Sequence, residues 1–422
     1  MTAFAAITVG VIVAGCSVSQ DTALVRVVEL IDSLSPTDAY FDDIKTITGG
    51  GYETVSTYAA PEAGERTMAL KSADGTSNLL TSTVDLGVDG QYSAVLAGTT
   101  ASPALYLVDE LPAAPGAGEF RVQVLNTITS GPAYDVYITP DSASLASVSP
   151  TVLSTAGGQT SAAFSFSAGT YRLRLTSGTP ADLVFDSGPL ANIVFTSGGT
   201  GTLVIYKGAS ATLVKAILLT GSAADSAQAS ANSLARIRLV NASTSVQTLN
   251  LRQGGNLLFG GMPSSGGSIY KEVAAATNTY SLDNNAVPSA DFGDFPLTLT
   301  AGEDHTILAV GDEPNVGLTL ITDNNNLPRS SFAGLRIING VSGAGDATVL
   351  VGYTVGFSAV PQGQASDQYL DYVPATYNFG AQYTNGAQTF DLGNFELETD
   401  RVYSLLMHGP VSAPQSVLLT DR

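Results

Sequence analysis

The sequence predicts an all-β protein in which four tandem immunoglobulin-like β-sandwich modules follow a lipoprotein signal peptide. Three observations carry this reading. Short stretches alternating aliphatic and polar residues recur in the same order four times. Gly is abundant at 44 residues, and frequent Thr, Ser and Val favour short strands punctuated by turns. The only Cys closes an apolar leader. At 422 residues the chain suits several domains rather than one core.

The leader comes first. Ala3 to Ala14 form an apolar run ending in Val13-Ala14-Gly15-Cys16, which resembles a lipobox, where small residues let a peptidase cut beside the lipidated Cys. Residues 1–15 are therefore expected to be the signal peptide and Cys16 the lipidation site. The run is too short for a membrane span, which needs about 20 apolar residues. Met1 to Phe4 carry no Lys or Arg, a departure from the positive start usual in signal peptides that leaves open whether the true start lies upstream. Ser17 in place of Asp points, by resemblance to enteric-type sorting, to the outer membrane. Several acyl chains on Cys16 would make the anchor stable.

Four strand-like openings follow: Leu24 to Glu29, Arg121 to Asn126, Arg236 to Asn241 and Gly334 to Asn339, each with the alternation of a strand that buries one face. Their last residues are 97, 115 and 98 positions apart. A second landmark ends in Gly98, Gly208, Gly311 and Gly409, which lie 69, 82, 70 and 70 positions after the first. Each is followed by a closing strand, so a Gly-centred hairpin is expected. A third landmark centres on Tyr171, Tyr280 and Tyr377, with the first copy reduced to Arg66 to Leu70. About seven strands per roughly 100 residues is the immunoglobulin-like pattern. The absence of Trp and of paired Cys excludes an antibody-type core.

The modules are expected at residues 23–111, 119–220, 234–322 and 332–422, as beads on a string. Pro112 to Gly118, Gly221 to Ser233 and Asp323 to Ser330 form the joints, the first two modestly flexible.

Phe120-Arg121-Val122-Gln123-Val124-Leu125-Asn126, Asp135-Val136-Tyr137 and Ala168-Gly169-Thr170-Tyr171 together resemble the bacterial repeat family called domain of unknown function 4397. Weaker matches extend the resemblance from about residue 23 to the C-terminus. The resemblance implies a fold, tandem repetition and export. It implies no reaction.

Net charge is −20, with 13% of residues charged, which disfavours nucleic acid as a partner. The first module carries thirteen acidic against four basic residues, and the second five of each. His305 and His408 are the only histidines and fall beside the recurrent glycine strands, where a structural role is expected. No nucleophile elbow, zinc-protease helix or phosphate-binding loop is present, and Cys16 is committed to lipid. Asp42-Asp43 and Glu303-Asp304 are carboxylate pairs expected in turns. In the third joint, Asp323 and Asn325 are the candidate ligands for a structural calcium. No other cofactor is expected. The loops Ile31 to Ala39, Thr127 to Ala133 and Asn339 to Ala347 share one end of their modules and are the expected contact surface.

The leading functional reading is a non-enzymatic, membrane-anchored surface or periplasmic lipoprotein for adhesion, scaffolding or assembly, meeting the membrane through its lipid and an unidentified protein or glycan. A carbohydrate-binding or substrate-capturing lipoprotein of an uptake system is the alternative. An uncharacterised hydrolase built on distant carboxylates is the third.

Overall fold

The computed structural model describes residues 21–31, 36–99, 102–110, 113–178, 181–189, 193–221 and 227–422. The leader and Cys16 lie outside the described residues. Among the described residues there is no α-helix, only a 3-10 turn at Leu145–Ser147.

The first module has eight strands: β1 (Leu24–Glu29), β2 (Thr37–Phe41), β3 (Ile44–Thr48), β4 (Thr54–Val55), β5 (Gly64–Ser72), β6 (Asn78–Leu86), β7 (Gln91–Thr99) and β8 (Ser102–Asp109). They form two packed sheets, ordered β4-β1-β7-β8 and β3-β2-β5-β6. Every neighbour is antiparallel except β1 and β7, which run parallel from Leu24 opposite Gln91 to Glu29 opposite Leu96. The same order recurs in the other three modules, with the fourth strand split in the second and last. The sandwich expectation holds. The eight-strand order differs from the seven-strand ABED/CFG arrangement of immunoglobulin constant domains.

Each module fills its interior from alternating positions. In the third, Ala235, Ile237 and Leu239 of the opening strand meet Leu249, Leu251, Tyr280 and Leu282 of the facing sheet. The opening strands were expected to bury only one face, yet Val28, Val240 and Ile338, which point the other way, are fully buried. They belong to clusters that join modules. Val28, Leu30, Val95 and Val108 pack with Leu125, Val204, Tyr206 and Leu219, uniting the first and second modules. Val240, Leu308 and Ile321 pack with Ile338 and Leu406, uniting the third and fourth. A parallel strand pair covered on both faces reads as a near-continuous apolar run, which explains Leu203-Val204-Ile205 and Leu405-Leu406. The modules are therefore stacked in pairs, which corrects the beads-on-a-string expectation. In the joint between second and third, the described stretch 227–230 is not free chain either. Ala227–Ser230 adds an edge strand beside Val214–Thr220, satisfying ladder groups that would otherwise face solvent.

The recurrent glycines have a backbone reason in three modules. Gly98, Gly311 and Gly409 have φ of +102°, +100° and +96°, and a Cβ on Gly98 or Gly311 would sit 2.5 Å from a carbonyl oxygen across the hairpin. Gly208 has no such conformation.

The residue closing each recurrent opening motif also has a mechanical role. The Oδ1 of Asn126, Asn241 and Asn339 accepts the N–H two residues on, at 3.0, 3.0 and 3.3 Å. Their amide groups donate to carbonyls of the opposite sheet's strand ends, Thr155 at 2.9 Å, Met262 at 3.2 Å and Val360 at 3.0 Å. These contacts turn the chain from one sheet to the other. The first module puts Glu29 there, buried, accepting a hydrogen bond from the Thr37 hydroxyl. Burial pushes the Glu29 carboxyl up to about 7, the Thr37 bond opposing this incompletely. Below the ordinary value of 4.5 the acid is protonated whether the module is folded or not, and its contribution to stability is fully present. As pH rises toward 7 the unfolded chain releases its proton first, so that stability is lost, by up to about 3 kcal/mol. Denaturant unfolding of wild type and Glu29→Gln across this window is expected to show the gap between them widening in favour of Gln as pH rises. A constant gap would refute the assignment.

Candidate functional site at the seams between modules

Three positions before Glu29, Asn241 and Asn339, the opening strands carry Arg26, Arg238 and Arg336, and all three side chains are buried. Each donates through Nε to the hydroxyl opposite it on the parallel strand, Ser93, Thr306 or Ser404, at 2.8 Å. That hydroxyl in turn donates to a carboxylate from the eighth strand or just beyond, Glu110 at 2.5 Å, Asp323 at 2.7 Å or Asp421 at 2.6 Å. A tyrosine completes each group: Tyr58, Tyr270 or Tyr369 donates to the same carboxylate at 2.5, 2.6 or 2.8 Å while its ring lies 4.8 to 5.0 Å from the guanidinium carbon. The second module holds the neutral version, in which Gln123 donates to Thr202 at 3.0 Å and to the Asp109 carbonyl of the first module at 2.8 Å.

In the first module Arg26 pairs with its own Glu110 at 2.9 Å. Between the third and fourth modules the ion pairs are exchanged: Arg336 meets Asp323 at 2.6 Å and Arg238 meets Asp421 at 2.7 Å. The guanidiniums also reach across to the partner hydroxyls, Arg238 to Ser404 at 3.3 Å and Arg336 to Thr306 at 3.4 Å. This reciprocity is that of an isologous dimer, built here from two segments of one chain.

A further node ties the second module to the third and fourth. Buried Asp304 accepts from Ser210 Oγ at 2.6 Å, the Ala211 N–H at 3.0 Å, Arg236 at 3.2 Å and Asn325 Nδ2 at 2.7 Å. The Asn325 N–H donates to the Ala209 carbonyl at 2.9 Å, and Arg422 donates to the Asn325 carbonyl at 3.2 Å. Burial, with Arg422 beside it, pushes Lys207 down to about 7.

At the outer end of the third seam lies a cleft of about 500 Å³, lined by Gln247, Ser264 and Ser265 of the third module and His408, Pro410 and Gln415 of the fourth, among others. His408 is 4% exposed and its Nδ1 has no hydrogen-bond partner. Burial lowers its pKa and so favours the neutral ring.

The residues singled out from sequence fall in different places. Asp323 and Asn325, the calcium candidates, lie buried in the seam rather than in an open linker. Asp323 ends a strand, wholly buried, and faces the Arg336 guanidinium, while Asn325 turns its amide nitrogen toward Asp304. Among the described residues no group of three His, Cys, Asp or Glu is placed to hold a metal ion. His305 is buried, its Nε2 accepting the Thr300 N–H at 3.1 Å, and burial lowers its pKa. Asp42 and Asp43 occupy a hairpin tip with φ of +47° and +67°, whereas Asp304, also expected in a turn, opens a buried strand. The loops Ile31 to Ala39, Thr127 to Ala133 and Asn339 to Ala347 connect first to second strands at one end of their modules, residues 32–35 lying outside the described residues. Sequence reading missed Arg26, Arg238 and Arg336. Their signal was an Arg two positions before a buried aliphatic in three of four openings. No helix among the described residues is long and apolar enough to cross a membrane.

A family model described as "Domain of unknown function (DUF4397)" matches residues 23–137 and 235–340, more than half of the chain. No curated protein matches. A solved structure described as a product complex of SpuA, a multi-modular glycogen-degrading pneumococcal virulence factor, is 10% identical with a TM-score of 0.18, over 89% of this chain and 38% of its own length. The chain thus spans well under half of that protein, and a score so low transfers neither fold nor activity.

Proposed function

Because the chain belongs to the family of domain of unknown function 4397, we propose that it is a non-enzymatic scaffold or adhesion module of the bacterial cell envelope, exported and lipid-anchored through Cys16 in the outer membrane. The observation that carries the reading is the treatment of the seams. Apolar clusters join the modules within each pair, exchanged buried ion pairs lock the third to the fourth, and Asp304 bonds across to the second, so the array presents its end loops in a fixed geometry instead of swinging freely. Buried charges at an interface give register more readily than raw stability, which suits a spacer that must hold a partner at a set distance. The loops at the module ends are the surface offered to that partner, a protein or a glycan.

The test uses the processed, lipidated chain in vesicles. It is expected to bind isolated envelope polymers or membrane proteins saturably, with no turnover of them. A reproducible turnover reaction without saturable binding would overturn the proposal.

A further inference from the structure

The two stacked pairs allow an internal comparison, because equivalent residues can be followed from one seam to the other. In the first module Glu53 sits at φ +61° with its N–H on the Glu29 carbonyl at 2.7 Å; in the third, Ser265 sits at φ +60° with its N–H on the Asn241 carbonyl at 2.8 Å. Glu29 and Asn241 end equivalent strands, so Glu53 corresponds to Ser265 and Tyr52 to Ser264. On the facing modules, Tyr206 pairs with Lys215 across the seventh and eighth strands, and His408 with Gln415 in the same register. The same corner of the seam is thus built from Tyr52, Glu53, Tyr206 and Lys215 in one pair and from Ser264, Ser265, His408 and Gln415 in the other.

The first set fills its corner. Tyr206 donates to Glu53 at 2.8 Å, Lys215 meets Glu53 at 2.9 Å, and the Lys215 ammonium lies 5.0 Å from the centre of the Tyr52 ring. The second set replaces two tyrosines and an ion pair with two serines, an imidazole and an amide. What remains is the cleft of about 500 Å³, within the range of small-molecule sites.

Its lining defines the ligand. None of the residues lining it carries a charged side chain, while hydroxyls, the Gln247 and Gln415 amides and the imidazole offer both donors and acceptors. Pro263, Pro410 and Ala413 add apolar patches. His408, 4% exposed, contributes the edge of its imidazole to the lining. From these features we infer that the cleft between the third and fourth modules binds a neutral polyhydroxylated ligand, a mono- or disaccharide unit. Its hydroxyls bond the amides and imidazole, and its C–H faces rest on the prolines.

The experiment transplants the filled corner into the open one. The full chain is titrated with glucose, galactose, N-acetylglucosamine, maltose, cellobiose and glucuronate by ligand-observed NMR. At least one neutral sugar is expected to bind saturably. In the Ser264→Tyr/Ser265→Glu/His408→Tyr/Gln415→Lys variant that binding is expected to disappear. Should this variant not fold, Gln247→Ala/Gln415→Ala, at two exposed positions, is expected to weaken binding at least tenfold. Absence of saturable binding by every neutral sugar, glucuronate as the only binder, or binding unchanged in the variants would each overturn the inference. Neither result bears on whether the array is a scaffold, since that reading rests on the buried seams and not on this corner.

Discussion

Replacing Arg336 with Met is expected to destabilise the stacked third and fourth modules by about 3–5 kcal/mol, the range for removing one partner of a buried ion pair. The guanidinium is buried, donates to Asp323 at 2.6 Å and Ser404 at 2.8 Å, and stacks on Tyr369. Met occupies similar space, so cavity formation is a minor part of the cost. The major part is Asp323, which keeps the Tyr270 and Thr306 hydroxyls but loses its cation in a place water does not reach. An ion pair on an exposed surface would be worth only about 0–1 kcal/mol, so the magnitude itself discriminates. Adding Asp323→Asn removes the stranded charge, and the double variant is expected to be more stable than Arg336→Met alone. Denaturant unfolding of the four variants in the cycle measures this coupling. A single-variant cost below about 1 kcal/mol would show the seam to be hydrated and the exchanged pairs incidental.

The sandwich was legible because a two-residue period reports directly which side chains share a face. The sequence distances between Glu29, Asn126, Asn241 and Asn339 tracked a real structural equivalence, since the first three end their opening strands and Asn339 holds the same place in a strand that runs on to Ser342. The pairing of modules was less legible for a physical reason. Alternation separates two faces but does not say what covers the second, and Arg at position 26, 238 or 336 reads as solvated until Ser93, Glu110 and their counterparts are seen beside it. One clue was present. Val27-Val28, Val124-Leu125, Leu239-Val240 and Ile337-Ile338 each put an aliphatic residue on the nominally polar face, a break in period that stacking explains. The cleft left no sequence signal of its own, because it arises from the small size of Ser264 and Ser265 in a corner whose counterpart is full.

Asp304→Asn is expected to act at a different level, loosening the attachment of one stacked pair to the other at a cost of about 3 kcal/mol. This carboxylate receives bonds from the second module, the third module and the Asn325 segment at once, and Arg236 is its direct cation. Lys207 and Arg422 are close enough for their charges to interact with it as well. A neutral amide keeps the shape but leaves these cations facing one another without a counter-charge, and Ser210 and Asn325 lose a strong acceptor. Each module keeps its own core and the exchanged pairs of the last seam stay intact, so unfolding should still be cooperative within pairs. The additional readout is small-angle X-ray scattering. Wild type is expected to fit a single arrangement of the two pairs, and the variant a broader distribution with a larger radius of gyration. Unchanged scattering with unchanged stability would show that Asp304 does not hold the joint. If the joint loosens while envelope binding by the anchored chain is undiminished, fixed geometry is not what the partner requires, and the scaffold reading reduces to one of adhesion through individual module ends.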